Sequence, residues 1–159
     1  MPQPTHKNIA HIGIECGERV ILVSPSNLYG CRLGDDVFIG PFVEIQKNVQ
    51  IGARSRVQSH SFICELVTIG EDCFVGHGVM FINDKFSRGG SAKGDQQLWH
   101  ATQVGSNVSI GSNATILPVT ICSHVVIGAG AVVTKDITEA GMYAGNPAKK
   151  LKPLKAVNS

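Results

Sequence analysis

The chain has 159 residues, enough for one domain with a sizeable core. Its 43% apolar and 16% charged residues suit a folded protein, and 14 Lys and Arg against 12 Asp and Glu leave a formal charge of +2. That charge is too small to point to a nucleic-acid or membrane partner. The five cysteines (Cys16, Cys31, Cys64, Cys73, Cys122) are odd in number and lack CxxC spacing, which argues against a disulfide framework and a paired-cysteine zinc site. No signal-like N-terminus and no run of about 18 apolar residues is present, so the expected setting is the cytoplasm without membrane insertion.

In chain order the first organised element is a run of period six. Leu33, Ile39, Ile45, Ile51, Val57, Ile63, Ile69, Val75 and Phe81 are all apolar, and Gly follows several of them, at 34, 40, 52, 70 and 76. Four residues after each apolar position comes a small or aliphatic residue: Val37, Val43, Val49, Ser55, Ser61, Val67, Cys73 and Val79. The series fails at Lys85. A period of six fits neither a helix nor simple alternation. It fits a short strand plus a corner, with three hexads closing a triangular coil of about 18 residues, one branched side chain per face pointing inward and Gly easing the turn.

The next element is the interruption. Between Phe81 and Val104 lie Asn83, Asp84, Lys85, Arg88, GGSAKG, Leu98 and Trp99, a composition that predicts a loop extruded over about residues 83–102. The rhythm then resumes with shifted phase at Val104, Ile110 and Ile116, and again at Ile121, Ile127 and Val133; Thr120 is assigned to a small-residue slot. The last element is IGAGAVVTKDITEAGMYAGNPAKKLK, Ile127 to Lys152, and a short cap is expected over about 138–159. These elements make one all-β domain, 1–159. The spacings leave the hand of the coil open, and right-handed crossovers are the general rule.

The repeat of aliphatic, Gly, two variable residues and a small residue, with this ending, resembles the hexapeptide-repeat acyltransferases over roughly residues 20–150. The resemblance implies a left-handed parallel β-helix, a triangular prism that acts as a homotrimer with sites between subunits. It also implies acetyl-CoA as co-substrate. By position it marks Gly111, Ala129, Thr134, Lys135, Lys149 and Lys152 as coenzyme contacts, the small residues allowing close approach and the lysines meeting phosphates.

The stretch GHGVMFINDKFSR is similar to the corresponding part of enzymes that acylate nucleotide-linked 3-amino sugars in surface-polysaccharide (lipopolysaccharide) biosynthesis. This implies His77, Asn83 and Asp84 as catalytic candidates, with Lys85 and Arg88 contacting a nucleotide-sugar substrate. Acyl transfer needs a neutral nucleophile, a route for its proton and donors for the oxyanion. His77 would accept a proton or orient a group; a corner residue bonded to backbone is the other reading, as a loop cap is for Asp84. Trp99 and Phe86 could stack on a base, although burial where the loop rejoins the body is the favoured expectation. PSNLYG is the expected nucleotide loop, and the coils are expected to begin about twenty residues into the chain.

Other readings stay open. His60 and His77 fall on neighbouring coils, which raises the zinc carbonic anhydrases built on this prism, but the HxxxxH pair of those enzymes is missing and no metal is expected. A hydroxyl acceptor is another alternative, although the His-Pro pair common in acetyltransferases of free sugars and drugs is absent. A non-catalytic trimeric scaffold is the third.

Overall fold

The computed structural model describes residues 10–153, and within them the repeat forms an all-β parallel β-helix of three sheets. The first face has seven strands: His11–Ile12, Asn27–Tyr29, Glu44–Ile45, Phe62–Ile63, Met80–Phe81, Thr115–Ile116 and Val132–Val133. The second face has six: Glu15–Cys16, Arg32–Leu33, Gln50–Ile51, Val67–Ile69, Thr102–Val104 and Thr120–Ile121. The third runs through Ile21–Leu22, Phe38–Ile39, Arg56–Val57, Phe74–Val75, Ser109–Ile110, Val125–Ile127 and Gly141–Ala144, and ends on Lys149–Lys152. That last strand is antiparallel, pairing Tyr143 with Lys150 and Ala144 with Lys149, and forms the cap. Among the described residues no helix is long and apolar enough to cross a membrane.

The core is a set of ladders. Leu33 lies beside Ile51, Ile51 beside Ile69 and Ile69 beside Val104. From Leu28 to Val133 the inward residues are no more than 5% exposed, and Phe81 is the largest fully buried side chain among the described residues. Burying one such side chain contributes roughly 1.5–3 kcal/mol, so a stack of them dominates the stability. The buried serines in small-residue slots are satisfied: Ser55 Oγ donates to Gly70 O at 2.9 Å and Ser61 Oγ to Gly76 O at 2.8 Å, and Ser26 Oγ lies 2.9 Å from His11 Nε2.

The glycines of the repeat have a different reason from the one expected. A Cβ on Gly34 would lie 2.7 Å from Ala53 N, and one on Gly105 2.6 Å from Ser123 N. Gly is therefore required by the close stacking of coils. The left-handed corner seat lies two residues later and is held by Asp36, Arg54, Asp72 and Asn107 at the second-to-third corner. There Arg19 pairs with Asp36 at 2.6 Å and Arg54 with Asp72 at 2.7 Å. These guanidiniums hold both aspartates below the usual carboxylate range, through hydrogen bonds first and charge second.

All length variation falls at one corner. Steps from the second to the third face and from the third to the first keep six residues, as in Val104, Ile110 and Ile116. The step from the first to the second face takes five residues from Leu28 to Leu33, six from Ile45 to Ile51, five from Ile116 to Ile121 and 23 from Phe81 to Val104. The shortened step corrects one slot: Val119 is buried at 5% and Thr120 is exposed, donating its N–H to Asp136 Oδ1 at 2.8 Å.

Within the described residues the first strand is His11–Ile12, so coils are present earlier in the chain than expected. Register places His11 beside Leu28 and Cys16 beside Leu33, so the inward slots of the first coil carry residues that an aliphatic repeat passes over. PSNLYG is likewise not a loop, because Asn27–Tyr29 is a strand with Leu28 fully buried.

Candidate active site at the loop root

The loop leaves the first-to-second corner after Phe81 and returns at Thr102. Its root is zipped: Asp84 bridges Trp99 in antiparallel fashion, and His100 N–H donates to Asn83 O at 2.9 Å. Asp84 then ties the loop together, with Oδ1 accepting from Phe86 N at 2.8 Å and Oδ2 from Ala92 N at 2.6 Å. Farther out Asp95 caps a single 3-10 turn, Gln96–Leu98. The loop-cap reading of Asp84 therefore has direct geometric support.

Loop and prism together border an open cavity of about 410 Å³. The coils supply Gln46, Phe62, Cys64, Glu65 and Ile82, and the loop supplies Asn83, Asp84, Phe86 and Trp99. Asn83 Nδ2 points back to Glu65 O at 3.4 Å. Trp99 is half-buried against this space, whereas Phe86 is 58% exposed, so the expectation of burial fails for Phe86.

Glu65 was not singled out from sequence. Its side chain is 12% exposed and faces Lys47 at 3.7 Å. Gln46 spans the same region, donating to Glu44 Oε1 at 3.1 Å and accepting from Glu65 N at 3.2 Å. Burial first, then the Glu44 and Glu65 carboxylates, push the Tyr29 phenol up. Burial also pushes the Cys64 thiol up to about 12, so it stays protonated and is a poor nucleophile. The cavity is thus lined by aromatic rings, the Asn83 amide and two carboxylates, Glu65 facing Lys47 and Asp84 bound to loop amides.

The remaining expected residues separate into groups. His77 follows Val75 and so lies at the third-to-first corner, away from Asn83 and Asp84. Its ring Nδ1 is 2.9 Å from Ser59 Oγ and its carbonyl accepts from Asn113 N at 2.8 Å. His60 lies one coil away at the same corner and stacks on Phe42, with centroids 4.8 Å apart. Lys85 and Arg88 are exposed on the loop and do not line the cavity; Arg88 faces Asp95 at 3.9 Å.

The expected coenzyme residues are also divided. Gly111 sits at the third-to-first corner, where a Cβ would lie 2.8 Å from Ala129 Cα, so coil stacking alone explains this glycine. Ala129 is exposed one coil farther on, and Gly128 packs on Ala144, whose partner is Lys149. A track of small residues therefore runs from His77 towards Lys149. Lys152 pairs with Met142 farther along the same cap strand. Lys150 is bound to Glu139 at 2.6 Å, while Lys149 and Lys152 make no ion pair among the described residues. Thr134 and Lys135 lie at the first-to-second corner, away from this track. No group of three or more His, Cys, Asp or Glu side chains among the described residues could hold a metal ion.

The repeat model for bacterial transferase hexapeptides (six repeats) matches residues 30–65, and that for the hexapeptide repeat of succinyl-transferase matches residues 102–135. The chain is 43% identical over 110 residues to the bifunctional protein GlmU of Clavibacter sepedonicus, an alignment covering 68% of this chain and 20% of that protein. It is 31% identical over 155 residues to GlmU of Heliobacterium modesticaldum, covering 86% and 31%. The chain thus spans between about a fifth and a third of the length of these curated relatives.

Among solved structures, a mutant of AntD, an N-acyltransferase from Bacillus cereus in complex with dTDP and coenzyme A, matches with a TM-score of 0.80 at 21% identity, covering 89% of this chain and 83% of that one. A mutant perosamine N-acetyltransferase from Caulobacter crescentus, in complex with CoA and GDP-perosamine, matches with a TM-score of 0.65 at 23% identity, covering 87% and 57%. At such identities the likeness concerns the fold. With its coils matched by repeat models over residues 30–65 and 102–135 and stacked into the prism described above, the chain is a hexapeptide-repeat protein.

Proposed function

We propose that this chain is an acyltransferase that moves the acetyl group of acetyl-CoA to the amine of a nucleotide-linked amino sugar, in the cytoplasm and in the service of surface-polysaccharide synthesis. The observation that carries the reading is the cavity at the loop root, with Glu65, Asn83 and Asp84 among Phe62 and Trp99. It offers carboxylate and amide oxygens to an amine and an aromatic wall to a sugar ring. The N-acyltransferase AntD and the perosamine N-acetyltransferase, whose folds this chain shares, support the same class.

In the proposed reaction the neutral amine nitrogen attacks the thioester carbonyl. The C–N bond forms, the C–S bond breaks, and the proton shed by nitrogen ends on the departing thiolate or on His77, whose Nδ1 is already engaged by Ser59. An amine beside electron-withdrawing hydroxyls has a pKa nearer about 8 than lysine's 10.4, so orientation contributes more than a strong base. Asn83 and Glu65 orient the acceptor. Asp84 acts by fixing the loop that carries Asn83.

The amine cavity and the small-residue track from His77 to Lys149 lie at different corners of one prism. A complete site is therefore assembled from two chains, which supports the homotrimer with three equivalent sites. The coenzyme follows the track, with Lys149 and Lys152 at its phosphates. Thiol release from acetyl-CoA, assayed over a panel of nucleotide-linked amino sugars, tests the activity; release with none of them overturns it. Lys149→Ala with Lys152→Ala lowers coenzyme affinity about tenfold or more, near 1.4 kcal/mol, and an unchanged affinity removes the coenzyme from this track.

A further inference from the structure

Among the described residues thirteen non-glycine residues have positive φ, and most are corner seats. At the third-to-first corner the seats are Phe42 (φ 59), His60 (φ 64), Gly78, Asn113 and Gly130. Gly, Asn and, to a lesser degree, His tolerate this conformation, whereas a bulky residue such as Phe42 there is an outlier. Strain of this kind persists where the surroundings enforce it and marks candidate functional positions. Two successive coils nevertheless place rings in the seat. The rings stack, with centroids 4.8 Å apart and planes 28° apart, and Phe42 is left 57% exposed. The chain holds an open aromatic face at the tip of this corner.

Its position is informative. His60 N–H donates to Pro41 O and Gly78 N–H to Ser59 O, so the order along the corner is Phe42, His60, then His77 with its neighbour Gly78. From His77 the small-residue track continues in the opposite direction, towards Ala129 and Lys149. Under the function proposed above, the coenzyme occupies that track. The platform is on the other side of His77, where an acceptor approaches the thioester. A flat exposed ring face stacked on imidazole suits a planar heterocycle.

We propose that Phe42 and His60 form the seat of the heterocyclic base of the acceptor nucleotide. The inference rests on the proposed function, yet its test is a binding measurement that needs no turnover. Nucleoside diphosphates (UDP, dTDP, GDP) and, separately, coenzyme A are titrated calorimetrically into the full chain and into Phe42→Ala, Phe42→Asn and Phe42→Tyr. The expected result is nucleotide affinity at least about tenfold weaker in the Ala and Asn variants, within about threefold of the parent in the Tyr variant, and coenzyme A affinity unchanged throughout.

Asn is at ease with positive φ, so Phe42→Asn leaves Tm unchanged or raised, which separates display of a ring from a packing role. Unchanged nucleotide affinity in both variants overturns the proposal. So does a loss of coenzyme A affinity instead, which assigns the platform to the coenzyme's adenine. A change in oligomeric mass with Phe42→Asn overturns it by making the ring an interface residue, and a parent chain that binds no nucleoside diphosphate overturns it outright. Nucleotide binding that follows this pattern without any acyl transfer leaves the seat standing and overturns the acyltransferase reading.

Discussion

Replacing Asp84 by Ala removes the two acceptors that fold the loop back on itself. The bond to Ala92 N is half-buried and 2.6 Å long, and the bond to Phe86 N is exposed and 2.8 Å long. Hydrogen bonds to charged groups contribute about 1.5–3 kcal/mol each. Taking the lower end for the half-buried bond and about a third of it for the exposed one gives about 2 kcal/mol. That energy is local, because Ala92 is the one hydrophobic residue of the loop that is buried, at 7%, and it lies outside the main core cluster.

Loop opening should therefore become roughly thirtyfold more frequent, with little change in the thermal midpoint of the prism. Native-state hydrogen exchange at the Phe86 and Ala92 amides reads the first quantity, and calorimetry reads the second. Asp84→Asn, which keeps acceptor capacity on one oxygen, should lie between. Unchanged protection at both amides in Asp84→Ala would refute the positioning role and return Asp84 to direct contact with substrate.

Gly111→Ala forces a methyl group onto Ala129, so stability falls by about 1–3 kcal/mol as the coils separate; an unchanged melting temperature would show that the stacking argument fails there. The Glu139–Lys150 pair ties the cap, and Lys150 holds the Glu139 carboxyl below its ordinary value. This contribution is present above the ordinary carboxylate range and is lost as pH falls through the depressed value, so amide protection of Gly141–Ala144 should decline below about pH 4. In Glu139→Gln that acidic loss should be absent. Burial pushes the Cys31 thiol up to about 11 and the Cys64 thiol up to about 12, while Cys16 is exposed. A thiol reagent should modify Cys16 first, and early labelling of Cys64 in native protein would count against direct transfer from the thioester.

The body of the fold was legible because inward residues in a parallel stack must be alike and equally spaced. The legibility ended where that condition relaxed. His11 and Cys16 occupy inward slots without being aliphatic, and the five-residue steps at Leu28 and Ile116 shift the phase, as Thr120 illustrates. At the site, Asn83 and Asp84 announced themselves by breaking the rhythm. Glu65 did not, since its neighbours Ile63 and Val67 satisfy the repeat; it emerges only when coils are aligned and Asn83 is found one coil beyond it. His77, expected beside Asn83, is an exposed residue at a different corner of the same prism. Counting hexads in threes separates them, because His77 follows a third-face residue and Asn83 a first-face one.

The cap strand Lys149–Lys152 also bears on how such prisms meet one another. A parallel stack finishes in open backbone edges, and any second prism could in principle continue them, coil upon coil, into a fibre. Here the third sheet is finished by a strand of reversed direction, whose register shifts between Met142 and Tyr143 and whose exposed side chains include three lysines. The reversed polarity mismatches an incoming parallel coil, and two such faces repel each other. Lys150 is neutralised by Glu139, so Lys149 and Lys152 are the charges on this edge that would disfavour end-on stacking of two such faces.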